Sequence, residues 1–180
     1  MTARDELNKV LKKFTKYVTT QAKANLTRGD KNVKKGLYNS IKGEPFVGKN
    51  SIGIYFEMLE YGPYQDSGVK GKSSGNSLST FKEGGFRFGT GTGKVKGALS
   101  KGINEWVRNK GFQFRDKKTG KFMSYENTAF LITRSIWQKG IKPSRFFSKP
   151  FEVAFKKLPD EVIEAYALDL EKLIKNSLKV

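Results

Sequence analysis

The chain has 180 residues, 37% hydrophobic and 13% aromatic, with 35 Lys and Arg against 17 Asp and Glu, a formal net charge of +18. It contains neither Cys nor His. That excludes disulfides, zinc sites built on thiolate or imidazole, and Ser–His or Cys–His nucleophilic catalysis within the chain. The length suits one ordinary domain, 1–180, and no run approaches the roughly 20 apolar residues of a membrane-spanning helix.

Met1 to Lys16 is charged and amphipathic, without the basic flank and apolar stretch of a secretory signal, so the expected compartment is the cytoplasm or a particle assembled there. Leu7, Val10, Leu11, Phe14, Tyr17, Val18 and Ala22 recur at three- and four-residue steps, which predicts a long first helix capped at Thr2 and Asp5 and stopped at Gly29. A shorter helix follows, with Asn32 as its cap and Val33, Leu37 and Ile41 on one face, ended by Gly43 and Pro45. Ser51 to Leu59 alternates with period two and predicts a strand, for which Phe46 and Val47 supply an antiparallel partner.

From Ser67 to Ser100, nine of 34 residues are Gly. This composition predicts a long Gly-rich basic loop over 67–98, ordered by a partner or serving a function of its own. Leu99, Ile103, Trp106 and Val107 predict a helix ending at Gly111. Phe112–Phe114 and Phe122–Ser124 flank Asp-Lys-Lys-Thr-Gly-Lys and predict a β-hairpin with a basic tip. Ser124 caps the next helix, which buries Ala129, Ile132 and Ile136 and stops at Gly140. Ser148 is expected to cap a short helix with Pro150 in its first turn, and Pro159 to open a last helix with an apolar stripe of Val162, Tyr166, Leu170, Leu173 and Ile174. The whole is an α+β fold: a small antiparallel β-sheet, long N- and C-terminal helices packed on it, and extended loops.

Catalytic and nucleotide-binding motifs are weak. Gly71-Lys72-Ser73 resembles the tail of a phosphate loop, but the position that requires the first glycine is Asp66, whose charge repels phosphate. Gly89 to Lys94 fits neither the phosphate-loop nor the dinucleotide glycine spacing. Asp66 beside Glu57 or Glu60 is the simplest acid–base pair this composition offers. Asp in Gln65-Asp66-Ser67-Gly68 is better explained by stabilisation of a turn, and the 17 acids are scattered. No enzyme activity, cofactor or metal is expected.

Two other segments stand out, Tyr61–Gly68 (Tyr-Gly-Pro-Tyr-Gln-Asp-Ser-Gly) and Gly140–Pro150 (Gly-Ile-Lys-Pro-Ser-Arg-Phe-Phe-Ser-Lys-Pro). Both combine aromatic contact surface with residues that fix a backbone path. They make Tyr61, Tyr64, Gln65, Asp66, Lys142, Arg145, Phe146 and Phe147 candidates for contact with other protein, with one of the two Phe rings turned inward. Charge is uneven. Met1–Asp66 holds 12 basic and 7 acidic residues, Ser67–Lys157 holds 20 and 5, and Leu158–Val180 holds 3 and 5. The basic middle suits a polyanion, and Lys94, Lys96, Lys117, Lys118 and Lys121, on predicted loops, are candidates to face DNA without reading its sequence.

The order of the motifs resembles the tail-completion, or neck, proteins of tailed bacteriophages, of the lambdoid head–tail joining type. The resemblance is carried by Gly36, Leu37, Ser40 and Ile41, then a strand, then Tyr61–Gly68. It continues through Ile103 to Gly111 (Ile-x-x-Trp-Val-x-x-Lys-Gly), Ala129 to Ile136 (Ala-Phe-x-Ile-x-x-Ser-Ile), Gly140–Pro143, and Phe146, Phe147 and Pro150. It covers about Leu7 to Phe155, and the segment Ser73 to Lys96 is longer and richer in Gly than such proteins have. It implies a non-enzymatic virion protein, in the host cytoplasm during assembly. Such a protein forms a homo-oligomeric ring, typically a hexamer, between the head connector or adaptor and the tail tube or tail terminator, and genomic DNA crosses the ring. The alternatives are a sequence-independent nucleic-acid-binding protein and a tail terminator.

Overall fold

A computed structural model describes residues 5–29, 35–48, 51–72, 86–88 and 97–177. The fold is α+β, with helices and two small antiparallel two-stranded sheets. The chain forms two compact units, Met1–Glu60 with Arg145–Val180, and Tyr61–Ser144, where composition and length alone suggest one domain.

In the first unit, helix α1 (Asp5–Arg28) buries Leu7, Leu11, Phe14, Thr15, Val18, Ala22 and Leu26. These recur every three or four residues, so a 3.6-residue turn lays them in one stripe. Tyr17, read into the same stripe from sequence, is exposed. Asp5 and Glu6 in the first turn and Arg28 in the last complement the helix dipole. Thr2, Asn32 and Val33 lie outside the described residues. The second helix is a single turn, α2 (Gly36–Ser40), with Leu37 buried and Ile41 buried just beyond it.

Strands β1 (Lys42–Val47) and β2 (Ile52–Glu57) form the expected antiparallel hairpin, from Lys42 opposite Glu57 to Val47 opposite Ile52. β1 packs on α1 at Gly43. A Cβ there would lie 2.6 Å from the Phe56 ring and 2.7 Å from Thr15 Cγ2, so a side chain would push strand and helix apart.

Helix α6 (Ser148–Phe155) and helix α7 (Leu158–Ser177) complete this unit. Ser148 lies inside α6, one residue after the N-cap position, which is Phe147. Phe14, Phe56, Phe147 and Phe151 form an aromatic cluster with edge-on contacts, at centroid separations of 5.6 Å for Phe14–Phe151 and 5.0 Å for Phe56–Phe147. A second patch packs Ala165, Val162 and Leu158 of α7 against Leu7, Leu11 and Val10 of α1 and Ile54 of β2.

α1 and α7 are also joined at their polar edge. The Asp169 carboxylate, 4% exposed, accepts the backbone N–H of Glu6 and of Leu7, each at 3.1 Å. A residue of α7 therefore satisfies two of the N–H groups that the first turn of α1 leaves open. Glu6 in turn accepts from Lys172 at 2.7 Å and from Lys9 at 2.9 Å. These bonds, the Lys172 bond foremost, lower the Glu6 carboxyl from 4.5 to about 2.

The second unit holds α3 (Gly62–Ser67), β3 (Val69–Lys70), α4 (Ala98–Lys110), α5 (Tyr125–Lys139) and β4 (Gly140–Ile141). α4 and α5 pack together around Val107, Thr128 and Ala129, all buried. α4 ends as its sequence predicts. Gly111 is left-handed at φ 63°, its N–H bonds the Arg108 carbonyl, and the Phe112 N–H bonds the Val107 carbonyl, the paired closure of a Schellman end. α5 begins on Ser124, whose hydroxyl accepts the Asn127 N–H at 3.1 Å.

The predicted hairpin between them shrinks to one bridge, Arg115 opposite Phe122. Its tip is built by Asp116, whose carboxylate accepts the N–H groups of Lys118 and Thr119 and the Thr119 hydroxyl. Those bonds, with Thr119's N–H first, hold the carboxyl below its ordinary value. Part of the predicted 67–98 loop is structured too: Gly68 ends α3, β3 follows, and residues 86–88 bond to Lys70.

Replacing Asp169 with Ala should cost about 1–3 kcal/mol in urea unfolding, because two N–H groups at a buried helix end lose their acceptor. The Glu6 pairing should be fully present above pH 4.5, the unfolded value, and be lost as pH falls towards about 2. NMR titration of the Glu6 carboxyl should follow this, and Lys172→Ala should return its midpoint towards 4.5. An unmoved midpoint would show that the pair does not form.

Candidate interaction surfaces

The two aromatic, Gly- and Pro-rich motifs are distant in sequence, and the second unit brings them together. β3 follows the first motif and β4 opens the second, and they pair antiparallel with Val69 opposite Ile141 and Lys70 opposite Gly140. The Gln65 carbonyl oxygen accepts the Ser144 hydroxyl at 2.6 Å and the Ser144 N–H at 3.2 Å. Lys72 N–H donates to the Trp137 carbonyl at 3.0 Å. On its other side Lys70 pairs with residues 86–88, through bonds of 2.8 Å to the Phe86 carbonyl and 2.9 Å from the Phe88 N–H.

Glycine is required at the ends of this clasp. Gly68 (φ 76°, ψ 176°) and Gly140 (φ 90°, ψ −172°) occupy a backbone region that side chains bar. A Cβ on Gly140 would also lie 2.1 Å from the Val69 carbonyl oxygen.

The first motif is a short helix rather than a turn. Pro63 sits in its opening turn, where a missing N–H costs nothing, and Gly68 terminates it. Tyr61 is 51% exposed, and Tyr64 is exposed with its ring 3.9 Å from that of Phe86, centroid to centroid. Gln65 is half-buried and Asp66 is buried, so of these four only the two tyrosines present substantial surface.

Lys142 is exposed. Arg145 belongs to the first unit and is left-handed at φ 49°. Its guanidinium grips both Glu152 oxygens, at 2.8 and 2.7 Å, which fastens the chain to α6. Phe146 is not a contact residue on this surface. It is 1% exposed and packs with Ala22, Leu26, Leu37 and Ile41, while Asn25 donates to its carbonyl at 3.2 Å. Phe147 is half-buried against the same cluster, so the expected division into one inward ring and one more accessible ring holds in part.

Lys117, Lys118 and Lys121 are exposed on the Asp116 turn. Lys94 and Lys96 lie outside the described residues. No family model, curated protein or solved structure matches the chain. Among the described residues no group of three His, Cys, Asp or Glu side chains is placed to hold a metal ion, and no helix is long and apolar enough to cross a membrane. A groove of about 300 Å³ in the first unit is lined by apolar side chains, Leu11, Phe14, Ile54, Phe56, Phe151 and Phe155 among them. It offers no convergent polar groups to orient a ligand.

The pattern of α7 in the sequence marks an apolar stripe without saying which side it faces. Tyr166, Leu170 and Ile174 of α7 are exposed, as is Ile163 at 68%, whereas α7 buries Ala165 and Asp169. The sign was available in the sequence: α7 has more apolar residues than one buried face can take, and its small Ala165 suits close packing on α1.

Gly140→Ala should lower stability by about 2–4 kcal/mol, from the barred backbone region and the collision with Val69. Gly102→Ala, at a helical glycine with open space around its Cβ, should instead gain up to about 1 kcal/mol. Thermal unfolding of the two proteins measures both. Equal midpoints would mean that the clasp does not need its glycine.

Proposed function

We propose that the chain is a non-enzymatic structural protein of the phage neck, assembling with copies of itself into a ring that joins the head connector to the tail. The motif order described above suggests the family. The observation that carries the reading is the outward apolar surface on both compact units: Ile163, Tyr166, Leu170 and Ile174 in the first, Tyr61, Phe130 and Trp137 in the second. Side chains of this kind grouped on regular elements of a highly charged chain are a feature of protein contact surfaces. A closed ring needs two different patches on each subunit, because its contacts are heterologous. The two motifs serve this role chiefly as a scaffold, with Tyr61 and Tyr64 on its surface.

The exposed Lys117, Lys118 and Lys121 support contact with DNA passing the ring. Three lysines on one turn give an electrostatic, sequence-blind contact, so the free protein should bind DNA weakly at physiological salt.

Negative-stain images and sedimentation of the concentrated protein should show closed rings, six-fold in the simplest case, and monomers on dilution. Monomers at every concentration, with tight DNA binding by the free chain at physiological salt, would favour a nucleic-acid-binding protein instead. Neutralising Lys117, Lys118 and Lys121 together should lower the salt slope of any DNA binding by about 3 and leave the ring intact.

A further inference from the structure

The geometry points to a specific subunit contact: the outer face of α7 in one copy docks on the outer face of α5 in the next. This rests on the ring reading and names the surfaces that would close it.

α7 has two faces. Val162, Ala165 and Asp169 point to α1, while Ile163, Tyr166, Leu170 and Ile174 follow one another at steps of three and four residues and stay exposed. This second stripe runs for three turns. Asp160 and Glu164, both exposed, lie along its edge, at the next positions round the helix. The helix as a whole holds Asp160, Glu161, Glu164, Asp169 and Glu171 against Lys172 and Lys175. It is an acidic helix in a chain of net charge +18.

α5 is its complement. Ala129, Ile132 and Ile136 face inward, and Phe130, Arg134 and Trp137, three and four residues apart, face outward. Phe130 is 64% exposed. Arg134 sits between the two rings, and the Lys72 ammonium lies 4.7 Å from the centre of the Trp137 ring. The sole acid of α5, Glu126, is paired with Arg108. Its outer face is thus apolar with a cationic middle.

Charge selects the partner. α7 against α7 of a second copy sets acidic helix on acidic helix, and α5 against α5 sets Arg134 on Arg134. α7 against α5 joins apolar to apolar and brings Glu164 and Asp160 to Arg134 and Lys72. The two faces differ, so the contact is heterologous and repeats from copy to copy, as a ring requires.

Because the chain has no Cys, single thiols can be placed cleanly. A Glu164→Cys protein and an Arg134→Cys protein, mixed at ring-forming concentration with a short bis-maleimide, should give mixed dimers in clear excess over either homodimer. Glu164→Arg should weaken self-association on the order of tenfold, and adding Arg134→Glu to the same chain should restore most of it. Circular dichroism of each variant checks that it is folded. Homodimers of the Glu164→Cys protein in excess, or undiminished assembly by Glu164→Arg, would overturn this contact while wild-type rings left the ring reading in place. A wild-type chain that stays monomeric at every concentration would overturn both.

Discussion

The Tyr61–Ser144 unit depends on a small clasp, in which the Gln65 carbonyl takes two bonds from Ser144 and β3 pairs with β4. Its hydrogen bonds are individually modest, about 1 kcal/mol each, and a two-residue ladder is not stable by itself. It holds because the chain it closes is packed: α4 and α5 bury Val107, Thr128 and Ala129, and α5 runs directly into β4. Gly71 and Gly140 then let backbone stretches approach more closely than side chains allow. A Cβ on Gly71 would lie 1.9 Å from the Gln138 carbonyl oxygen. The motifs are dense in Gly and Pro because they hold the backbone in a fixed path, and their aromatic rings occupy what surface remains.

The first unit is held differently. Its stability comes from apolar burial along α1 and from the ring cluster of Phe14, Phe56, Phe147 and Phe151. Polar groups at its edge set the pairing of α1 with α7. Asp169 fixes the α7 register by capping α1, and Lys172 and Glu6 reinforce it one turn away. Fixing that register decides which side of α7 is left outside, so an internal cap determines where the Ile163–Ile174 stripe is presented.

Much of the architecture was legible in the sequence. The stripe of α1, the alternation of β2 and its partner, the Gly111 stop and the Ser124 cap each follow from a local rule, and each element is long or well punctuated enough for that rule to dominate. The departures have local causes in some places and long-range ones in others. Tyr61–Gly68 carries turn residues, yet Pro63 suits the first turn of a helix and Gly68 its end, so the same residues build α3. Ser148 has the chemistry of a cap, but α6 takes it as its first helical residue and places Phe147 at the N-cap. The hairpin before α5 is present but short, with one bridge at Arg115–Phe122 closed by the Asp116 turn. In α7 periodicity revealed an amphipathic helix but not which stripe faces in; the buried Asp169, a polar residue, marks the inner face through a contact 163 residues away in sequence. Phe146 and Phe147 divide for the same reason, since only the position of α1 decides which ring is covered.

If the two motifs form one clasp, the amides bonded across it and beside it must open together. Native-state hydrogen exchange on the wild-type protein reads this directly at the Lys72 N–H, bonded to Trp137, and the Ser144 N–H, bonded to Gln65. The expected result is one shared opening free energy for both, with the same dependence on denaturant. Exchange of Ser144 at the rate of an unprotected amide while Lys72 stays protected would contradict a joined pair of motifs.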